Sequence, residues 1–326
     1  SLDGNWLERH VVERQDDVTY CHVVLPDSYW TETKRVFKIS WSLLINILGS
    51  TIALGMCTAC VTLFSQAYGN DNRKLLGTLL QRSLIIVTLS LSLCYALHLN
   101  MEGILVILGQ DREIARLTAE YLLLFTPGMF CMFVNAVLVT FLQCQNVVRP
   151  FAVIGVVTLA VLALLQYVCI FVLNWGVRGS AVAQAGAFCI NLLFTLAFIC
   201  TTKIHKATWD GWNRGCLQEW GVITRLGVLG VLMASFEWWA FEVTVLLSGV
   251  LGKRQLASQS IIFNISSLAY AFVKGLSAGI SIRVGQAVGA GHPGDAKVAA
   301  KVGLTMAATL MPWSALYSAL ACYAVC

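Results

Sequence analysis

Charge is what this chain has least of. Asp, Glu, Lys and Arg make up 12% of its 326 residues, against about 25% in soluble domains. That excludes an ordinary soluble globular protein. Histidine is scarce too: His10, His22, His98, His205 and His292 lie in the amino-terminal stretch or near the ends of apolar runs. They form no zinc spacing, so no metal is expected. There is no Gly-rich phosphate loop, no nucleophile elbow and no paired-acid hydrolase pattern, which argues against an enzyme and against a bound cofactor. The net charge of +5 is small and dispersed, so nucleic acid is not an expected partner. Proline numbers only 5. Pro127 and Pro312 fall inside apolar runs, where each is expected to kink a helix. The 12 cysteines do not form a secreted disulfide framework. Cys94, Cys131, Cys169 and Cys189 sit within apolar runs as small packing residues. Cys57-Thr-Ala-Cys60 has redox or metal spacing but lacks a second pair.

What the chain has instead is long apolar runs. Hydrophobic residues make up 58%, and mean hydropathy is +0.74. Eight runs suit transmembrane helices of roughly 20 residues: Ile39–Phe64, Ser83–Leu99, Tyr121–Leu142, Ala152–Leu173, Ala181–Cys200, Leu226–Leu251, Ser258–Ile282 and Val302–Val325. Inside lipid a helix pairs its own backbone groups, so the expected class is an all-α polytopic membrane protein. Residues 1–38 carry seven acids and five Lys/Arg and no apolar run. They are expected to be a soluble, disordered tail without a signal peptide. Eleven Lys/Arg follow spans one, three, five and seven, including Arg73, Lys74, Arg82, Arg225, Arg283, Lys297 and Lys301; five follow spans two, four and six. The first set is therefore expected on the cytoplasmic side. This puts the tail outside, with Lys34, Arg35 and Lys38 beside the membrane. The anomaly would vanish if a helix were missing before Ile39.

The run Leu226–Leu251 holds two acids, in Ser235-Phe-Glu-Trp-Trp-Ala-Phe-Glu-Val243. A carboxylate near the bilayer centre costs about 2.5–3.5 kcal/mol on insertion scales. Glu237 and Glu242 are thus candidates for function. Five positions at about 100° each set them roughly 140° apart around the helix, so they do not share one narrow face. Burial disfavours the ionised carboxyl. A group that takes either a proton or a cation is the simplest antiporter site. Trp238, Trp239 and Phe241 could attract cations through their ring faces, at about 0.5–2 kcal/mol each. Lys274, in the next run, lies close in level to Glu237. Two readings stand: a salt bridge with Glu237, or snorkelling toward the cytoplasm. Asn264 is a candidate partner of Glu242 across helices.

An internal repeat is visible. Gln66-Ala-Tyr-Gly69 ends the first run and Gln286-Ala-Val-Gly289 follows the seventh, 220 residues later. Gly55 and Gly275 match at the same offset, and both motifs lead into a polar basic stretch and another run. Such repeats build two lobes around a central cavity in many transporters.

At these residues the chain resembles the multidrug and toxin extrusion (MATE) family, animal branch. The matching stretches are Ala59-Cys-Val-Thr-Leu-Phe-Ser-Gln-Ala-Tyr-Gly69, Leu80-Gln-Arg-Ser83, Ala207-Thr-Trp-Asp-Gly-Trp212, Glu237-Trp-Trp-Ala-Phe-Glu242 and Arg283-Val-Gly-Gln-Ala-Val-Gly-Ala-Gly291. The resemblance implies twelve helices in two six-helix lobes, of which this chain would supply about eight. Residues 39–207 would be most of the amino-terminal lobe and 208–326 part of the other. The first helix and the last three would be absent. It also implies export of organic cations across the plasma membrane in exchange for protons, or sodium in some branches. Substrate and proton would meet Glu237, Glu242, Trp238, Trp239, Asn264, Gln66 and Cys60. Three positions depart from the animal pattern: Val61 replaces an Asp, Asn264 a Glu, and Lys274 a common Pro. Two alternatives stand beside this: a truncated product that does not transport, or a carrier of lipid-linked or organic-acid substrates.

Overall fold

The computed structural model describes residues 51–325 apart from 53, 108–111, 210 and 252. The tail 1–38, the start of the first apolar run and the side chain of Glu242 lie outside the described residues. The described residues are mostly helical, and the connections are short except for residues 203–219, which hold two 3-10 turns, Ile204–Ala207 and Arg214–Leu217. In order the helices are α1 (54–69, with 51 and 52 also helical), α2 (Arg73–Leu99), α3 (Met101–Ile107), α4 (Arg112–Gln143), α5 (Arg149–Tyr167), α6 (Gly176–Thr202), α7 (Trp220–Leu251), α8 (Lys253–Gly289) and α9 (Pro293–Val325). The last turn of α5 widens into a π-turn over Val168–Val172. Six helices among the described residues are long and apolar enough to cross a membrane, by length and composition.

The repeat read in the sequence is a repeat of structure. At the end of α1, Asn70 N–H donates to Gln66 O at 3.0 Å, Asp71 N–H to Tyr68 O at 3.1 Å, and Asn72 N–H to Ala67 O at 3.2 Å. At the end of α8, Ala290 N–H donates to Gln286 O at 2.9 Å, Gly291 N–H to Val288 O at 3.1 Å, and His292 N–H to Ala287 O at 3.0 Å. Every partner is displaced by the same 220 positions. Both turns place one residue at positive φ, Asp71 at 51° and Gly291 at 73°. This left-handed ending closes the orphan carbonyls of the helix. The next helix then starts at equivalent points, Arg73 and Pro293. Asn72 caps α2 by accepting Leu75 N–H at 3.0 Å, while Pro293 presets the first φ of α9.

Other expectations are corrected. The second span is not Ser83–Leu99 but the whole of α2, Arg73–Leu99. Arg82, Arg225, Arg283, Lys297 and Lys301, counted as loop charges, are all helix residues. Arg82 is even buried, with backbone carbonyls accepting from both of its terminal nitrogens, while its Nε finds no acceptor among the described residues. Gly55 and Gly275 are not equivalent in packing: Gly55 lies against Val231, whereas Gly275 has open space around it.

In lipid, apolar side chains gain little by leaving their surroundings, so helix association depends on close packing. Glycines supply it here. α1 runs antiparallel beside α7, with Gly55 against Val231, Gly230 against Thr58, and Gly227 against Met56. It then crosses α8, where Gly285 meets Ser65. Gly128 of α4 leaves no room for a Cβ over Ala185 of α6. Just beyond that crossing, Cys131 and Cys189 bring their sulfurs to 3.2 Å. α2, α4, α5 and α6 pack on one another, as do α7, α8 and α9. Phe64, Leu76, Val137, Leu142 and Ile223 form a buried core from α1, α2, α4 and α7. Phe64 meets Phe141 edge-on at 5.9 Å.

Candidate functional site

The site lies in the antiparallel hairpin of α7 and α8. Glu237 sits two residues beyond Ser235, whose hydroxyl donates to that of Thr51 at 3.4 Å. This contact and the glycine packing set the register of α7 on α1. From α8, Tyr270 and Lys274 are four residues apart and therefore share a helix face. Tyr270 Oη donates to one carboxylate oxygen of Glu237. Lys274 Nζ lies 3.4 Å from the other and donates to Tyr270 Oη at 2.8 Å. Each group thus contacts the other two. The side chains of Lys274 and Glu237 are 58% and 32% exposed. At 3.4 Å the Lys274–Glu237 contact is longer than a tight charge-assisted hydrogen bond, which runs at about 2.7–2.9 Å.

An aromatic wall adjoins the triad. Phe241 is its centre, with ring centroids 6.4 Å from Trp238, 5.5 Å from Phe263 and 6.2 Å from Tyr270, all edge-on. Trp239 pairs instead with Phe236, at 6.1 Å. Asn264 lies six residues before Tyr270, about 9 Å along the helix. Its amide donates to Ser260 O on its own helix at 2.9 Å.

Cys60 and Gln66 are remote from the triad. Nine residues of α1 separate Cys60 from Thr51, about 13 Å of helix. Cys60 is 1% exposed and belongs to the core between helices. Gln66 is at the turn end of α1, where its carbonyl accepts from Asn70. So Glu237 and Lys274 come together, and Trp238 is linked to them through Phe241 and Tyr270, whereas the contacts of Trp239, Asn264, Gln66 and Cys60 described above lie elsewhere. Tyr270 was not among the sequence candidates. Its signal was the spacing Tyr270-x-x-x-Lys274 opposite an acid in the neighbouring run.

A second polar constellation grips the connector between α6 and α7. Arg82 Nη1 donates to Glu219 O at 3.2 Å and Nη2 to Gly215 O at 3.1 Å. Gln81 donates to Gly211 O at 2.7 Å and accepts Asn213 N–H at 3.1 Å. Gln286, on α8, donates to Cys144 O at 2.8 Å and to Asn146 Oδ1 at 3.2 Å. These amides and the guanidinium join segments more than 100 residues apart.

The architecture defines a multi-pass helical membrane protein containing a repeated helix pair, with an acid, a phenol and a base set in its apolar spans. Comparison with known proteins makes this specific. The MatE family profile matches residues 37–168 and 231–323, and the chain belongs to the MATE family. It is 39% identical over 263 residues to multidrug and toxin extrusion protein 1 of Xenopus tropicalis, covering 81% of this chain and 46% of that protein. Against the Homo sapiens protein of the same name it is 39% identical over 260 residues, covering 80% of this chain and 46% of the relative. The chain thus spans about half the length of the curated relatives it matches. Among solved structures it resembles the eukaryotic MATE transporter AtDTX14, with a TM-score of 0.72 at 22% identity, covering 86% of this chain and 70% of that one. A mutant of the Vibrio cholerae MATE transporter VcmN also superposes, with a TM-score of 0.72 at 14% identity, covering 87% and 72% of the two chains.

Proposed function

We propose that this chain forms part of a secondary active transporter that exports organic cations and other xenobiotics in exchange for protons. The membrane would be the plasma membrane. Residues 39–207 would contribute to one lobe and 208–326 to the other, and the ligand would bind at the α7–α8 hairpin. Glu237 is the central group in this reading, with Glu242 as a second acid. When ionised, Glu237 holds a cation; when protonated, it releases it. One carboxylate serving both ions in turn couples their movements, because the two occupancies exclude each other.

The observation that carries the reading is Glu237 itself. It is a carboxylate in an apolar helix, one-third exposed, with an aromatic wall beside it. Aromatic faces attract cations without demanding one shape, which suits a polyspecific site. The relatives' name, multidrug and toxin extrusion protein, agrees with it. The test is binding of a radiolabelled quaternary ammonium to the purified chain in lipid nanodiscs, at two pH values. Binding that weakens on acidification, and is lost in Glu237→Gln, is the expected result. Undiminished, pH-dependent binding by Glu237→Gln would move the site elsewhere.

A further inference from the structure

Lys274 gives the site a second sign of charge, and the function proposed above does not use it. A carboxylate that waits for an external cation should be free of internal ones. Glu237 is not: Lys274 Nζ stands 3.4 Å from one of its oxygens, and Tyr270 bonds the other. Among the described side chains, the charges of this cluster sum to zero. The arrangement is also not a sealed structural pair. Lys274 is the less covered partner, and its ammonium, a triple donor, makes two hydrogen bonds here, to Glu237 and Tyr270.

We propose that Lys274 determines specificity at this site, acting as a tethered counter-cation. The inference rests on the reading of Glu237 as the ligand-binding acid. In the unliganded site Lys274 occupies Glu237. A simple organic cation must displace it, and leaves an unpaired ammonium nearby. A zwitterion does not meet that penalty. Its ammonium takes the place of Lys274 at Glu237, and its own carboxylate receives the displaced Nζ. Both charges of the protein stay paired before and after binding. The four-residue spacing of Tyr270 and Lys274 helps, since the phenol oxygen offers Nζ a resting partner at 2.8 Å during the exchange. The wall centred on Phe241 provides the surface for an apolar body. The ligand class is therefore an aromatic or otherwise bulky zwitterion, favoured over the monocation of the same shape.

Tryptophan and tryptamine are a matched pair of probes: the same ring and the same ammonium, with and without a carboxylate. Their binding to the 326-residue chain in nanodiscs is measured by calorimetry or by radioligand saturation. For the wild-type chain, tryptophan should bind at least tenfold more tightly than tryptamine. Lys274→Met should reverse the order, weakening tryptophan and tightening tryptamine. Lys274→Arg keeps the charge and should keep the wild-type order, which guards against a merely structural effect. Glu237→Gln in the Lys274→Met background should abolish tryptamine binding. If it does not, the assignment of Glu237 fails. If it does, but Lys274→Met leaves the ratio of the two affinities unchanged, the role of Lys274 fails alone. Equal affinity of the wild-type chain for the two probes, or failure to bind either, also overturns the proposal.

Discussion

Gly69 and Gly289 are counterparts across a local two-fold. A Cβ on Gly69 would overlap the carbonyl oxygen of Gln286, and a Cβ on Gly289 would overlap that of Gln66. Reciprocal contact of this kind, residue i on j and j on i, is the mark of an isologous interface. Here the interface lies inside one chain, between α1 and α8. Ser65 and Gly285, themselves 220 positions apart, touch each other close to the axis. The repeated turns described above follow directly from each crossing. The two halves of the repeat thus hold each other in register.

The first prediction tests that crossing. Gly69→Ala and Gly289→Ala each drive a methyl into backbone, which cannot swing aside as a side chain would. Overpacking of this kind costs about 1–3 kcal/mol. Gly279→Ala, on the same helix as Gly289, meets nothing within 4 Å. It should gain about 0.5–1 kcal/mol from the helix preference of alanine. Thermal unfolding midpoints in detergent should therefore fall for the first two variants and hold or rise for the third. Equal midpoints for Gly69→Ala and Gly279→Ala would show that the crossing does not limit stability.

Much of this was legible in the sequence. Long apolar runs marked the helices, because lipid imposes a length on a span. The repeat was legible from four residues, because a Cβ at either glycine would overlap the backbone of the other half. Glu237 and Lys274 stood out because charge is costly in apolar runs. Tyr270 did not, since a tyrosine in a membrane helix equally suits an interface anchor, and its partner depends on the register between two helices. Arg82 was read as a topology charge. Its acceptors are carbonyls more than 130 residues away, and no local pattern reveals them. Cys60 and Gln66 were grouped with the cavity by resemblance. Their distance along α1 separates them from Glu237.

Arg82 supports the second prediction. Its two bonds hold the carbonyls of Gly215 and Glu219, so it fastens the α6–α7 connector to α2. Arg82→Met keeps the aliphatic stem and loses the fork. Bonds to a charged group are worth about 1.5–3 kcal/mol each, so the connector should loosen. Trypsin cleavage at Lys206 and Arg214 should accelerate by roughly tenfold, the factor given by about 1.4 kcal/mol in a local opening equilibrium. Arg82→Lys should rescue only in part, because an ammonium lacks the planar fork that reaches two carbonyls at once. An unchanged cleavage rate in Arg82→Met would mean that Gln81 secures the connector without it.

A third prediction concerns Cys131 and Cys189. Their sulfurs are 3.2 Å apart across α4 and α6, and the Gly128–Ala185 contact enforces that approach. An azodicarboxamide oxidant should convert the two thiols to a disulfide, itself taking up two electrons and two protons. Mass spectrometry of unreduced peptides should find residues 131 and 189 joined. Gly128→Leu should push the helices apart and suppress the cross-link. Cross-linking of equal yield in Gly128→Leu would show that mobility, not the static approach, brings the thiols together.

The fourth prediction separates the roles of Glu237 and Tyr270. Glu237→Gln preserves shape and an acceptor oxygen but removes charge and titration. Loss of one charge-assisted contact to a bound cation costs about 1.5–3 kcal/mol, or roughly tenfold to a hundredfold in affinity. The sign of the pH effect follows from the chemistry. Acidification protonates the carboxylate, removes its attraction for a cation and weakens binding. In Glu237→Gln that dependence should disappear along with the affinity. Tyr270→Phe removes only the phenol bond to Glu237 and the resting partner of Lys274, while the ring stays in the aromatic wall. In Tyr270→Phe the carboxylate keeps its charge, so the pH dependence should remain, and the affinity at high pH should change less than in Glu237→Gln. Titration of quaternary ammonium binding from acid to mildly alkaline pH in nanodiscs, for wild type and both variants, provides the comparison. A loss of affinity in Tyr270→Phe as large as that in Glu237→Gln would show that the phenol, and not the carboxylate alone, holds the cation. A retained pH dependence in Glu237→Gln would assign the titrating group to another acid.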